Sequence, residues 1–238
     1  MEKTVIISGA SRGLGRNLAV HCSQSGYNLA LIARSQEELE SLRDELGKKS
    51  AVTIHPCDLT NEGDVSIAFE SIRSSHKHIH SLVNCAATWT GGKSVLDLTS
   101  EDVERSFQLN FYSAFRCIKE TLKIWQEQNC DELHIINAGA TASLRGGKNT
   151  CAFALAKSSL RILTQSIARE MGPQGVHAVH IILDGLIDNE RTRNLNPNVK
   201  DENYMKMDAI SETILNLLSQ DKSAWTLELD LRPYTEKF

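Results

Sequence analysis

The stretch VIISGASRGLGRNLA, residues 5–19, decides the fold. A short β-branched run leads into a glycine-rich turn, and apolar residues then recur at helical spacing. Gly9 suits the tight turn, Gly13 lets the backbone approach a phosphate, and Gly15 allows close packing of helix against strand. A pyrophosphate would rest on the free N–H groups at the helix N-terminus. The spacing G-x-x-x-G-x-G lacks the lysine of a P-loop, so it favours a dinucleotide over ATP.

The rest of the chain alternates β-branched runs with segments of helical length. The further runs are NLALIA, AVTIHP, SLVNCA, LHIIN, HAVHIIL and WTLELDL. Near-continuous apolar runs are typical of strands that are buried on both faces of a parallel sheet. The pattern predicts an α/β fold, with one Rossmann-like domain over residues 1–238 and a doubly wound parallel sheet of seven strands. Two of its helices would be long, around residues 100–128 and 150–171.

Charge and cysteine usage exclude several functional classes. The net charge is −4, so neither nucleic acid nor an anionic membrane is expected as a partner. The six cysteines form no C-x-x-C pair, and we expect no metal site and no disulfide framework. The first residues run straight into a strand without room for a signal peptide, which predicts a cytoplasmic protein. The histidine-rich SSHKHIH (His76, His78, His80) is interpreted as a solvated loop.

The end of the second strand bears on the choice of dinucleotide. The sequence there is LIARS, with Ala33 about where an acidic residue would accept a hydrogen bond from an adenosine 2′-hydroxyl. Arg34 follows directly, and Arg12 lies inside the glycine loop. Two guanidinium groups near the ribose match the oxygens of a 2′-phosphate. Together they favour NADP over NAD.

Several motifs together resemble the classical, NADP-preferring short-chain dehydrogenases/reductases. SGASRGLG is similar to the family's T-G-x-x-x-G-x-G, CDLT to its adenine-contacting turn with Asp58, and NCAA to its N-N-A-G. Asn110 matches the catalytic asparagine and Lys157 the lysine of Y-x-x-x-K, while LDGLIDN resembles the turn beside the nicotinamide. The resemblance implies that NADP(H) is bound by Gly9, Ser11, Arg12, Gly13, Leu14, Gly15, Arg34, Asp58, Leu59, Asn84, Ala86, Lys157, Gly185 and Ile187.

The resemblance also implies an activity and an assembly. We expect an oxidoreductase that acts on a carbonyl or hydroxyl group of a small-molecule substrate. The family further implies a homodimer or homotetramer built on the two long helices.

Two catalytic positions depart from the family pattern. The tyrosine position, four residues before Lys157, holds Phe153, and the serine position holds Ala140. Loss of a general acid costs about 10²–10⁴-fold in rate, and loss of one oxyanion donor costs about 10²–10³-fold. The candidates for a substitute proton donor or oxyanion donor are Thr141, Ser143, Tyr112, Tyr204, Asp184 and Lys157 itself.

The departures leave three functions open. The first is an NADPH-dependent reductase with a non-standard proton donor. The second is a non-redox enzyme that uses Lys157 and Asn110 for acid–base chemistry. The third is a pseudoenzyme that binds nucleotide or a partner without turnover. The polar segment 188–208 follows the sixth strand, at the ligand-binding edge of such sheets, and is either a surface loop or a substrate lid.

Overall fold

The structure, a computed structural model, describes residues 3–47 and 50–236. The main sheet contains β1 (Thr4–Ser8), β2 (Asn28–Ala33), β3 (Val52–Pro56), β4 (Ile79–Asn84), β5 (Leu133–Ala138), β6 (Val176–Leu183) and β9 (Glu228–Leu231). A separate two-stranded sheet pairs β7 (Leu186–Ile187) with β8 (Tyr204–Met205). The helices are α1 (Gly13–Gln24), α2 (Gln36–Leu46), α3 (Glu62–Ser75), α4 (Ser100–Phe107), α5 (Ser113–Gln128), α6 (Cys151–Met171), α7 (Glu190–Leu195) and α8 (Met207–Leu217).

The seven strands of the main sheet are parallel, in the order β3-β2-β1-β4-β5-β6-β9. This confirms the predicted fold class. The strand order reverses between β1 and β4, and open α/β sheets bind ligands at the carboxyl ends of the strands beside such a reversal. The glycine loop leaves β1 at this point.

Alternating strand residues build a core on each face of the sheet. Val5 and Ile7 of β1 pack on the side of α1, α2 and α8, where Leu18, Leu39 and Ile214 are buried. Ile6 faces the other side, which is filled from α3, α5 and α6 by Phe69, Ile118 and Ile167. Both faces are thus covered by helices, as the apolar runs predicted.

The predicted helix over residues 100–128 is interrupted. Residues Gln108–Tyr112 form a π-helical turn between α4 and α5. A π turn inserts one residue into the hydrogen-bond ladder of a helix, and such turns occur frequently at functional sites. Asn110 lies in the middle of this one.

The segment 188–208 contains α7 and then β8, which returns to pair with β7. One other expectation needs correction. The interpretation of SSHKHIH as a solvated loop is wrong, since His76 and His80 are only 4% and 2% exposed. His76 lies within hydrogen-bonding distance of the hydroxyls of Thr4 and Thr53, so the imidazole is buried with polar partners.

Of the helices in the described part of the chain, none is both long enough and apolar enough to cross a bilayer.

Candidate active site

The glycine loop has the geometry of a phosphate cradle. Gly9 adopts a φ of +73°, and a Cβ there would lie 2.8 Å from the backbone of Ala86. Gly15 is just as tightly packed, because its Cβ would lie 2.3 Å from the carbonyl oxygen of Gly9. Gly13 adopts a φ of +57° and faces open space at the first turn of α1. Arg12, the N-cap residue, supplies no side-chain acceptor, so the N–H groups at this terminus are left for another partner.

A cleft opens beside this loop, over the carboxyl ends of β1, β2 and β4. Half of the predicted cofactor residues line it, namely Gly9, Ser11, Arg12, Arg34, Asp58, Leu59 and Ala86. Over residues 3–47 and 50–236, the guanidinium groups of Arg12 and Arg34 have neither a hydrogen bond nor an ion pair. Hydrogen bonds from Thr60 to the carboxylate of Asp58 hold its pKa below the usual range.

The other predicted cofactor residues lie outside this cleft. Leu14 is buried in the core, and Ile187 is in β7. Asn84 is buried in a chain of side-chain hydrogen bonds that crosses the sheet. Ser8 donates to Asn84 (3.1 Å), Asn84 to Asn137 (2.8 Å) and Asn137 to Thr164 (2.9 Å). Such a fully satisfied polar chain holds the carboxyl ends of β1, β4 and β5 in register.

Lys157 is a buried lysine with an altered acidity. It is 2% exposed, and its Nζ donates a 2.7 Å hydrogen bond to the carbonyl oxygen of Ala138. Burial lowers the pKa of Lys157 to about 8, because an ammonium group loses its hydration there. Its Nζ lies 5.9 Å from the centroid of the Phe153 ring. The lysine therefore faces an aromatic ring where a phenol would be expected.

Asn110 joins the π turn to the loop that follows β4. Its side-chain oxygen accepts from the backbone N–H of Thr88 at 2.9 Å, and its amide nitrogen donates to the carbonyl oxygen of Ser106 at 3.2 Å. Asn110 is not in the wall of the cleft. Within the described residues, it makes no hydrogen bond to Lys157. Its contacts position the loop 88–99.

Ala140 and Phe153 lie together in a second pocket, at the same edge of the sheet. Trp89, Leu183, Gly185 and Leu186 are also in its wall. The rings of Trp89 and Phe153 are in contact, with their centroids 5.0 Å apart. The two departures thus make the part of the wall around Trp89 apolar.

Comparison with known proteins gives the chain a family. The family model described as short chain dehydrogenase matches residues 3–200, most of the chain. The chain belongs to the short-chain dehydrogenase family.

Relatives of this family share the sequence and the fold over nearly the full length. A 3-oxoacyl-[acyl-carrier-protein] reductase of Bos taurus is 26% identical over 203 residues, which are 85% of this chain and 83% of that protein. An uncharacterized oxidoreductase of Staphylococcus aureus is 23% identical over 232 residues, with 98% and 97% covered.

Two solved structures show the same architecture. A short-chain dehydrogenase from Rhodopseudomonas palustris has a TM-score of 0.82 at 25% identity, with 98% of this chain and 99% of that chain covered. The fold is also similar to that of an alcohol dehydrogenase from Thermococcus sibiricus complexed with 5-hydroxy-NADP, with a TM-score of 0.87 at 23% identity and 100% and 99% covered.

The hydroxyl groups nearest to the altered short-chain dehydrogenase positions are already engaged. Thr141 donates to the carboxylate of Asp184, and that carboxylate also lies 3.6 Å from a guanidinium nitrogen of Arg232. The hydroxyl oxygen of Ser143 accepts from the backbone N–H of Ala140 at 3.1 Å. The proton of the Thr141 hydroxyl is thus committed to Asp184. Ser143 is only 2% exposed and is in the wall of neither the cleft nor the second pocket.

The two candidate tyrosines are directed elsewhere. Tyr204 is buried in the segment 188–208 and donates to the carbonyl oxygen of Asn196 at 3.0 Å. Tyr112 is exposed and lies under the guanidinium of Arg116, 5.5 Å from the ring centroid. Neither tyrosine is in the wall of the cleft or of the second pocket.

Three residues in or near this site were not predicted from the sequence. Trp89 and Arg145 line the second pocket, and no motif marks either of them. His180 of β6 is buried directly behind Gly139, where a Cβ would lie 2.2 Å from its Nε2. Neither ring nitrogen of His180 has a hydrogen-bond partner within the described residues, and burial lowers its pKa to about 4. The glycine at 139 is the one sequence signal that a large side chain needs room there.

Proposed function

We propose that this chain is an NADP(H)-dependent oxidoreductase that interconverts a carbonyl and a hydroxyl group on a small molecule, with an atypical active site. The observation that carries the proposal is that Arg12 and Arg34 lie in the wall of the glycine-loop cleft and that, within the described residues, neither guanidinium group makes a hydrogen bond or an ion pair. An adenosine 2′-phosphate would receive charge-assisted hydrogen bonds from both. The end of β2 itself carries Ala33 and Arg34 and no carboxylate that would repel the phosphate. The carboxylate of Asp58, in the same cleft, interacts electrostatically with Arg34.

The residues present fit the rest of this cofactor. Gly13 has open space above it at the uncapped N-terminus of α1, which suits a pyrophosphate. Asp58, Leu59 and Ala86 surround the place where an adenosine would lie. We further propose that Asn84, Gly185 and Ile187 border the nicotinamide half, as their family positions imply.

Lys157 is the residue to which we assign the proton. When bound, NADPH supplies a hydride to the substrate carbon, and the resulting alkoxide needs a proton. With its pKa lowered to about 8, the ammonium of Lys157 gives up a proton more readily than an ordinary lysine. Asn110 acts as a positioning residue, because it holds the loop after β4 through Thr88.

We also propose that residues 1–238 form a single domain and that the segment 188–208 is a substrate lid within it. The segment leaves the sheet after Gly185, which is in the wall of the second pocket. Ion pairs of Arg193 with Asp188 and Asp201 hold it together as a unit. We propose that this unit closes over the substrate.

A second candidate is an NADP(H)-binding protein without turnover. It is favoured by the enclosure of Lys157 and by the engagement of the hydroxyl groups of Thr141 and Ser143. Turnover on any substrate separates the two functions.

The test is a calorimetric titration of NADPH and NADH. NADPH is expected to bind at least about 10-fold more tightly, because each charge-assisted hydrogen bond contributes about 1.5–3 kcal/mol. Arg12→Ala and Arg34→Ala are each expected to weaken NADPH and leave NADH unchanged. Arg105→Ala, an exposed arginine on α4, is the matched control and should change neither. Equal affinities for the two cofactors, or no loss in either variant, contradict the proposal.

A further inference from the structure

The second pocket presents an apolar surface that is shaped in advance. Trp89 is 55% exposed, an unusual exposure for a side chain of this size. Its ring packs on the backbone of Gly91, where a Cβ would lie 2.4 Å from Cζ2, and on the ring of Phe153. Both contacts fix its orientation. A flat apolar group that lies against this pair would remove the exposed ring from water.

The polar side chains of the pocket wall are nearly all satisfied. The hydroxyl of Thr141 donates a hydrogen bond to Asp184. The hydroxyl of Thr150 accepts a hydrogen bond from the N–H of Gly147 and donates one to the carbonyl oxygen of the same residue. Ala140 and Phe153 contribute no polar side-chain atom. A sugar or another polyol would therefore bury hydroxyl groups without partners, which costs about 1–3 kcal/mol for each group.

Arg145 is the exception. It is the charged residue among the described residues that line the pocket, and no acidic side chain accompanies it there. Its guanidinium has no hydrogen bond or ion pair within residues 3–47 and 50–236. An unpaired guanidinium beside an apolar wall matches a ligand with a carboxylate at the edge of a flat body. A cationic ligand would be repelled.

We propose that the substrate of this site is a carbonyl compound with a flat aromatic or alicyclic body and a carboxylate group. The body lies against Trp89 and Phe153, and the carboxylate pairs with Arg145. This inference rests on the proposed oxidoreductase function and makes Arg145 and Trp89 the residues that determine its specificity.

The experiment compares ligands that differ in one feature each. 4-Acetylbenzoate has the ring, the ketone and the carboxylate; its methyl ester lacks the charge, and pyruvate lacks the ring. Each is titrated calorimetrically at low ionic strength into the protein alone and into the protein saturated with NADP⁺. We expect 4-acetylbenzoate to bind at least about 10-fold more tightly than the ester or pyruvate.

Three variants test which residues cause the difference in affinity between these ligands. Arg145→Gln is expected to weaken 4-acetylbenzoate about 10-fold and to leave the ester unchanged. Trp89→Ala is expected to weaken the acid and the ester by the same factor. Lys148→Gln removes a nearby exposed cation that is not in the pocket wall and should change neither.

The outcomes separate this inference from the function on which it rests. Equal binding of acid and ester, no binding of either, or equal effects of Arg145→Gln and Lys148→Gln overturn the substrate class. A parallel assay mixes the protein with NADPH and 4-acetylbenzoate and follows the absorbance at 340 nm. Selective binding of the acid in the titrations without oxidation of NADPH in this assay supports the substrate class and contradicts the oxidoreductase function. Failure of NADP⁺ to bind contradicts that function too, while the titrations of the protein alone still decide the substrate class.

Discussion

Phe153 keeps the shape of an aromatic ring at the position where the family has its phenol. The ring is buried between Trp89 and Lys157, so packing alone gives it a reason to remain aromatic. What the substitution removes is one ionisable hydroxyl beside an ammonium group, and with it the usual proton donor. The usual proton donor is therefore absent, and Lys157 is the donor that we propose in its place.

Restoring that hydroxyl is the first prediction. The double variant Phe153→Tyr, Ala140→Ser is expected to reduce activated ketones with NADPH at least about 10-fold faster than the unaltered protein, because a general acid and an oxyanion donor return together. The rate of NADPH oxidation, followed at 340 nm, is the measurement. Adding Lys157→Met to the double variant is the control, and the gain should disappear. An unaltered protein that already reduces such ketones rapidly, with no gain in the double variant, contradicts the prediction.

The sequence could locate Phe153 and Ala140 because both are found by counting from Lys157. It could not show that Thr141 and Ser143 are unavailable as replacements. Their hydroxyl groups are engaged by Asp184 and by the backbone of Ala140, and such contacts depend on how separate elements meet.

At the scale of the elements, Gly139, which directly follows β5, packs against His180 of the neighbouring strand β6. A Cβ at residue 139 would lie 2.2 Å from Nε2 of His180 and 2.8 Å from the carbonyl oxygen of Ile181. The glycine and the histidine therefore depend on each other. Adjacent motifs in the sequence do not reveal this, because the two residues are far apart along the chain.

The second prediction tests this dependence. Gly139→Ala is expected to lower the free energy of unfolding by about 1–3 kcal/mol, as overpacking does. His180→Ala in the same background should recover part of that loss, since the ring is removed while the contact with Ile181 remains. Urea unfolding measures both. Gly146→Ala is the control, because a Cβ there meets nothing within 4 Å. A fully additive pair of substitutions would refute the dependence.

Helix and strand periods made the elements predictable, but not their irregularities. The bounds of β2 match the run NLALIA, and those of β6 match the run HAVHIIL to within one residue, because buried apolar residues define both strands. The π turn that holds Asn110 was not predicted, because it arises from one residue inserted into an otherwise regular helix.

At the scale of the whole molecule, α5 and α6 present apolar side chains to solvent. Phe115 on α5 and Leu155 and Ile162 on α6 are exposed. As the third prediction, we expect these helices to pair in a homodimer or homotetramer. Light scattering at micromolar concentration should give a multiple of 26.4 kDa. Ile162→Glu should shift that mass downward, whereas Ile67→Glu, at an exposed position on α3, should not. A monomer in the unaltered protein contradicts the prediction.

Acid sensitivity is the fourth prediction, and it follows from histidines that are buried as neutral imidazoles. Burial lowers the pKa of His55 to about 4, of His80 to about 3 and of His180 to about 4. In the unfolded chain the same groups titrate near about 6.5. Between these values the unfolded state binds more protons, so the free energy of unfolding falls as the pH falls through about 6.5 toward 4.

Each such histidine adds a slope of up to about 1.4 kcal/mol per pH unit, so the free energy of unfolding should drop steeply between pH 7.5 and 5.5. This window lies above the range in which carboxylates titrate, and it therefore isolates the histidines. Urea unfolding at several pH values measures the slope. His80→Gln should make the slope shallower by the share of one proton, whatever it does to stability at pH 7.5. His80 suits this test because its ring is buried. The ring contacts Tyr27 and His134, and its Nδ1 lies 2.6 Å from the hydroxyl of Ser81. A free energy of unfolding that stays constant across the window would mean that these imidazoles take up protons in the folded protein just as they do in the unfolded chain, against the burial that the sheet imposes on them.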